Sequence, residues 1–316
     1  MIKSSSTATP SFGDFLVNPK NMETRKKEFF ENLEKIINWN PIIYRIEKLY
    51  NKEFGRPAFA ALMMFKSLLL AQWYGLNDVE LEDCLKDRIS FKKFVGLKME
   101  DNVPDETTIG RFRKLLTRKR LQEKLFEIIN KQLEEKEIFI KKGTLIDASI
   151  LESDGGRRKT RDKDATWVKK NNKSYFGYKA HAGMDQGSGL IHSLEATTAS
   201  THDSQIWDEL LHGKEKAEFA DKGYYDEGYK QLLRKNRKFC GIMDKAKKNH
   251  KLSKRQKKLN GIKARLRAPV ERFFAVIKRQ YKFIRIRYRG LENNRQHLFA
   301  LGIAFNLERA VSLLCT

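Results

Sequence analysis

The chain has only three cysteines in 316 residues, Cys84, Cys240 and Cys315, far apart and in no CxxC or Cys/His spacing. That excludes a disulfide framework and a structural zinc site, and the thiols are expected to stay reduced in a cytosolic setting. Long apolar runs are also missing. The longest, Ala58 to Ala71, is interrupted by Lys66 and Ser67 and is too short to cross a bilayer. The opening MIKSSSTATPSFGDF lacks an apolar core, and neither terminus carries a lipidation motif or a basic amphipathic helix. Neither a signal peptide nor a membrane anchor is therefore expected. No internal repeat is visible. Acids are scarcest where the chain is most basic: from Lys230 to Arg289 there are 23 Lys or Arg against two acids, Asp244 and Glu271.

What is present points to a folded, polyanion-binding protein. Hydrophobic residues make up 40% and aromatics 11%, enough for a core. Lys plus Arg number 64 against 40 acids, a net charge of +24. A field of that size attracts polyanions, with nucleic acid foremost. In the basic stretch the aromatics Phe239, Phe273, Phe274, Tyr281, Phe283 and Tyr288 are interleaved with the cations. The stretch must therefore pack as well as carry charge, which favours a folded DNA-backbone surface over a free tail.

Three regions are expected: an arm over residues 1–20, a helical DNA-binding domain over 21–140 and a catalytic domain over 141–316 with a basic insertion at about 244–266. In the helical region one helix is expected from Thr24 to Asn38. A second, from Pro57 to Trp73, is apolar on nearly every face and thus central. Asp78 and Asp105 read as N-caps. The helix that follows Asp105 is polar in its first turn and basic in the next, which suits DNA phosphate contacts from Arg111, Arg113 and Lys114.

After Lys142 the pattern changes. Strands are expected at Thr144 to Leu151, Ser174 to Met184, Leu190 to Thr197, Ala217 to Ala220 and Phe239 to Met243. A loop is expected from Gly155 to Asn172. Helices are expected from His202 to about His212, from Tyr225 to Lys235, and from a start near Pro269. The order describes a mixed α/β domain.

The informative residues are strand-end acids. Asp147 interrupts the apolar strand Thr-Leu-Ile-Asp-Ala-Ser, and Asp221 ends Glu-Phe-Ala-Asp. A buried carboxylate is costly unless it is paired or holds a metal, and two on neighbouring strands could share a hard divalent cation. Glu271 is the third acid, in Arg267-x3-Glu271-x6-Lys278, with Lys278 two turns along the same helical face. An Arg-x3-Glu pair alone could be a simple salt bridge. Asp203 could be a fourth acid or a cap. Lys179 and His181 alternate on one strand face; Lys179 could meet DNA, and His181 suits a structural hydrogen bond. Asp226 reads as a cap. Ser149 has no His at a suggestive spacing, which argues against serine-nucleophile chemistry. Two strand Asp residues, a helix Glu and a large cationic excess fit two-metal phosphoryl transfer.

With those residues in view, the sequence resembles bacterial insertion-sequence transposases of the Asp-Asp-Glu (DDE) type, most of all the insertion-sequence-five group. The matching motifs run in order along nearly the whole chain. They are Pro104-Asp105-Glu106-Thr107-Thr108 with Arg111-Phe112-Arg113, Ile146-Asp147-Ala148-Ser149, Gly177-Tyr178-Lys179-Ala180-His181, Thr201-His202-Asp203-Ser204, Ala220-Asp221-Lys222-Gly223-Tyr224, and Arg267-x3-Glu271-x6-Lys278. The one departure is Ala264, where related families carry a tyrosine ahead of the last motif.

The resemblance implies an RNase H-like catalytic fold behind an all-α N-terminal domain. It implies Asp147, Asp221 and Glu271 as catalytic ligands of two Mg²⁺ ions, with Mn²⁺ able to substitute, and Arg267 and Lys278 as contacts to DNA phosphate. It further implies binding of terminal inverted repeats and target DNA, a homodimer holding two element ends, and a cytoplasmic, nucleoid-associated location. Two other readings stay open at this point: a related nuclease that cuts without joining, and a non-catalytic DNA-binding regulator.

Overall fold

The computed structural model describes residues 25–50, 58–156, 161–170, 172–246 and 251–315. The expected arm and Pro57 lie outside them. The chain divides into two compact units, one within Met1–Gln132 and Ala310–Thr316, the other Leu133–Arg309.

The first unit is helical: α1 (Arg25–Ile36), α2 (Asn40–Glu47), α3 (Ala61–Tyr74), α4 (Asp78–Asp87), α5 (Ile89–Val95), α6 (Glu106–Arg118) and most of α7 (Leu121–Glu135). As its composition requires, α3 is buried on nearly every face, and even Lys66 is inside, paired with Glu34 at 2.5 Å. Asp105 caps α6 as expected, accepting from Thr108 N. Asp78 does not cap α4. Asn77 does, in a capping box with Glu80, because its side chain sits one residue earlier, where it can reach the N3 amide. Asp78 instead pairs with Arg113 of α6.

The second unit is built on a mixed sheet of β1 (Gly143–Glu152), β2 (Thr166–Lys170), β3 (Lys173–Asp185), β4 (Ile191–Thr198), β5 (Ala217–Phe219) and β6 (Phe239–Cys240). The strand order is β2-β3-β1-β5-β6, with β4 also on β3. The first four strands pair antiparallel, while β5 runs parallel to β1 and β6 parallel to β5. The expected loop between β1 and β3 thus contains a strand. β2, Thr-Trp-Val-Lys-Lys, is mostly exposed and lacks the apolar alternation that marks a strand in sequence, and its pairing with β3 is what makes it one.

A second correction concerns residues 203–210, which form two short 3₁₀ helices, Asp203–Ile206 and Asp208–Leu210, instead of one α-helix. His202 caps the first through Ser204 N, and the segment is anchored by buried Trp207, whose indole N–H donates to Glu218 Oε2 at 3.2 Å. α8 (Glu227–Lys235) follows, capped by Asp226 as expected.

The third correction is larger. α9 runs from Lys254 to Arg279 with Pro269 in its interior. Its start is the capping box of Ser253 and Gln256. Proline removes one donor and orphans the carbonyl four residues earlier. Here both Pro269 and Arg265 lie on the exposed face, where water can take that carbonyl.

Alternation along β1 sorts its side chains to two faces. Ile146 enters a cluster with Ile206, Trp207, Leu210, Ala220, Tyr224, Leu233 and Ile242. Asp147 points the other way, toward α9. That helix buries Val270, Phe273 and Ile277, with the Phe273 ring 5.0 Å from Phe305 of α10 (Leu291–Leu314). α10 is long and apolar enough to pass for a membrane span, yet 67% of its most apolar window is buried, as in a core helix. Asn306 pins it to β4, exchanging hydrogen bonds of 2.8 and 2.7 Å with the backbone of Ile191.

Gly177, where β1, β2 and β3 meet, has φ of +153°, and a Cβ there would collide with the carbonyl oxygen of Leu151. The obstacle is backbone and cannot swing aside. Gly177→Ala is expected to lower stability by about 3 kcal/mol or more, on the scale of overpacking plus backbone strain. Urea unfolding of the purified variant checks this; a loss under about 1 kcal/mol would show that the strands part easily.

Candidate active site

Parallel pairing brings the two strand acids together. Leu145 of β1 stands beside Phe219 of β5, the last paired residues, and Asp147 and Asp221 each lie two residues beyond them, near enough that the charge of Asp221 acts on Asp147. The sheet does not continue past Phe219. Asp221 instead caps a tight turn over Lys222–Tyr224 through a 2.5 Å bond from Lys222 N to its Oδ1.

Glu271 arrives from α9, near the helix's C-terminal third and not near its start, and is exposed. Arg267, one turn earlier and buried, joins the set: Nη2 donates to Glu271 Oε1 at 2.7 Å, and Nη1 lies 2.8 Å from Asp147 Oδ1. The second contact is a close ion pair with poor hydrogen-bond alignment. One planar guanidinium thus spans two of the acids, a geometry open to arginine and not to lysine. Ala264 lies almost one turn before Arg267 on the same helix.

The electrostatics of Asp147 record this crowding. Burial pushes its carboxyl up to about 6; Arg267 and the Ala148 N–H pull it down, and the charges of Glu271 and Asp221 push it up again. A carboxyl raised by burial, with two like charges adding to the rise, sits where additional positive charge would be stabilising.

Lys278, two turns beyond Glu271, donates to Ser149 Oγ at 2.6 Å and to the Ile150 carbonyl at 3.2 Å. It ties α9 to β1 just past Asp147, and burial lowers its pKa. Lys179 on β3 donates to the Thr201 carbonyl at 2.6 Å and to Asp203 Oδ1 at 2.9 Å. Asp203 opens its 3₁₀ helix without capping it and serves as the partner of Lys179. His181 is fully buried, with Nε2 2.9 Å from Thr197 Oγ1, and burial holds its pKa near 4, so it is a neutral structural residue at pH 7.

Asp221 and Asp203 line a cavity of about 300 Å³ that is walled by Lys169, Lys170, Lys179, Lys222 and Lys245 and bordered by Ala148 and Ser149, the residues after Asp147. Of these only Lys179, Asp203 and Asp221 stand out in the sequence as candidate site residues. Lys169 and Lys170 belong to the unmarked strand β2, and Lys222 is signalled only by adjacency to Asp221. In the first unit, Arg111 and Lys114 are exposed on α6, whereas Arg113 is turned into its pair with Asp78.

A family model of the transposase DDE domain matches residues 139–307, more than half the chain and the whole of the sheet with α9. This chain belongs to the DDE transposase family. A second model, described as a transposase domain, matches residues 17–115 of the helical unit. No solved structure matches the chain. The helical N-terminal region followed by a mixed sheet with flanking helices is the RNase H-like arrangement expected of such a transposase.

DDE domains generally use divalent metals. The donor set of this transposase fits that use: three carboxylates are hard oxygen ligands, and their like charges are already close enough to raise Asp147. Among the described residues no three acidic, histidine or cysteine side chains are drawn together to hold a cation as they stand. Arg267 lies between two of the carboxylates.

Proposed function

We propose that this transposase binds the terminal inverted repeats of an insertion sequence, cleaves the DNA by metal-dependent hydrolysis and joins the freed 3′ ends to target DNA. The observation that carries this reading is Asp147 with Asp221 close by, Asp147 linked to Glu271 through Arg267, and Asp221 lining a cavity walled by five lysines.

In the proposed reaction a water oxygen bonds to phosphorus and the 3′ oxygen leaves with the electron pair. The resulting 3′-hydroxyl then bonds to a target phosphorus, expelling the target's own 3′ oxygen. Each step makes and breaks one P–O bond, so no external energy source is needed. Asp147, Asp221 and Glu271 would hold two Mg²⁺ ions, or Mn²⁺ in their place, which supply positive charge to the attacking and leaving oxygens. The protein's own cations orient the substrate. Lys179 has one of its three donors uncommitted to Thr201 or Asp203, and that donor can meet a phosphate. Arg267 neutralises Asp147 and Glu271 and is the natural phosphate contact once those acids bind metal. Lys278 fixes β1 beneath Asp147 and adds charge beside the phosphate. Arg111, Lys114 and the more buried Arg113 of α6 give the helical unit a backbone-contacting face. Two element ends must be held together, so a homodimer is the expected working form.

The test is incubation of an inverted-repeat oligonucleotide with a supercoiled plasmid and Mg²⁺. Covalent joining supports the reading. Nicking without joining would make the protein a nuclease, and binding with neither would make it a regulator; both results overturn the proposal.

A further inference from the structure

An aromatic side chain outside the acidic site has no role in the chemistry above. Trp167 stands on β2 with its side chain half exposed, at 51%. It is nonetheless held on several sides. The Phe176 ring lies 5.2 Å away on the paired strand, the Arg161 guanidinium is 5.7 Å from its centroid, and Gly155 packs beside its six-membered ring, where even a Cβ would meet Cη2 only at van der Waals distance. Arg161 is itself fixed by donating to the Gly156 carbonyl at 3.1 Å and by lying 5.4 Å from Phe176. A tryptophan that merely completed a core would be covered; this one is braced and left half open to water.

Its surroundings are cationic and lead to the cavity. The next residues along β2, Val168, Lys169 and Lys170, form part of the wall that also holds Asp221, at a rise of about 3.3 Å per residue. On the other side, the segment 161–167 is docked on the corner before α10: Gly290 N donates to Asp162 Oδ2 at 2.9 Å, and Leu291 N to Asp164 Oδ2 at 3.1 Å. The chain reaching that corner exposes Arg285, Arg287 and Arg289 at every second position and runs beside β1, where Ile286 N donates to the Glu152 carbonyl. A rigid aromatic shelf between cations leading to a phosphate-sized cavity combines the two features that bind single strands: a π-face for a base and positive charge along the backbone. Duplex DNA keeps its base faces stacked and offers nothing to such a shelf.

We infer that Trp167, flanked by Arg161 and Lys169, is a stacking site for an unpaired base of a DNA single strand entering the lysine-walled cavity. The inference rests on DNA being the partner, as proposed above, but not on cleavage or joining. The full-length protein, without divalent metal, is titrated against a fluorescent 20-nucleotide oligothymidine and against a duplex of equal length. Trp167→Ala is expected to weaken single-strand binding about tenfold, with duplex binding within twofold, and Trp167→Phe to keep most of the affinity. Far-ultraviolet circular dichroism and the melting temperature check that each variant is folded. Unchanged single-strand binding overturns the inference. So does an equal loss on both ligands, which would assign Trp167 to duplex contact or to the fold. Failure of joining in the plasmid assay leaves this result standing, and failure here leaves joining untouched.

Discussion

Asp147→Ala is expected to remove both nicking and joining, by at least about a thousandfold, while inverted-repeat binding stays within a few-fold. A loss of that size is on the order of 4 kcal/mol of transition-state stabilisation. It follows from position: Asp147 is far more buried than Glu271, lies near Asp221, and contacts Arg267. Binding should survive because affinity comes mainly from phosphate contacts spread over many cations. Oligonucleotide cleavage and plasmid joining, with gel-shift binding on the same preparation, measure this; joining that persists would mean the acids are misassigned.

The same residue carries a stability cost with a defined pH window. Its folded-state pKa is about 6, above the ordinary 3.8, so the folded state holds the proton more tightly than the unfolded chain. Stability from this group is then greatest at low pH and is lost as pH rises through the window between those values. Asp147→Asn escapes the loss and is expected to be more stable than the parent by about 1–3 kcal/mol above pH 7, with the gain vanishing near pH 4. Urea midpoints at both pH values decide it. A variant less stable than the parent at pH 7.5 would sink the idea that charge at this position is held against its own preference.

Arg267→Ala should act in the opposite sense. It strips the buried guanidinium from Asp147 and leaves Glu271, already in solvent, with little to lose. Removing one partner of a largely buried pair costs about 3–5 kcal/mol, and the lower end is expected because Asp147 keeps some exposure. The loss should be larger at pH 8 than at pH 5, where Asp147 can take up a proton. Adding Asp147→Asn should recover much of it, since the double variant has no stranded charge. Strict additivity of the two changes in urea unfolding would show that the ion pair carries no coupling. Arg267→Lys is expected to rescue poorly, because one ammonium cannot span both acids as the two guanidinium nitrogens do.

How much of this was legible in the sequence varies by element. β1, β3 and β4 announce themselves by apolar runs, and α3 by being apolar all round; in each case burial dictates composition. β2 does not, because its strand character comes from backbone pairing with β3 while its side chains remain in water. The start of α9 was written in Ser253-x2-Gln256 but outweighed by Pro269, whose cost is small only where the orphaned carbonyl faces solvent, a fact of tertiary placement. Asp78 read as a cap and became an ion-pair partner because Asn77 reached the amide first.

By itself, the sequence determined the positions of the three acids, their spacing to Arg267 and Lys278, the cationic excess and most of the helices and strands, β2 excepted. The first three are covalent facts; the elements followed from the apolar patterns that burial imposes. Only the tertiary structure decided that Asp147 and Asp221 come close, because which strand edges pair fixes which strand ends meet. Only it decided that Arg267 spans Asp147 and Glu271, because that requires α9 to lie on the Asp147 face of the sheet. The lysine wall and the open face of Trp167 belong to the same class: residues from β2, β3 and later turns converge there through folding, and no local pattern records the meeting.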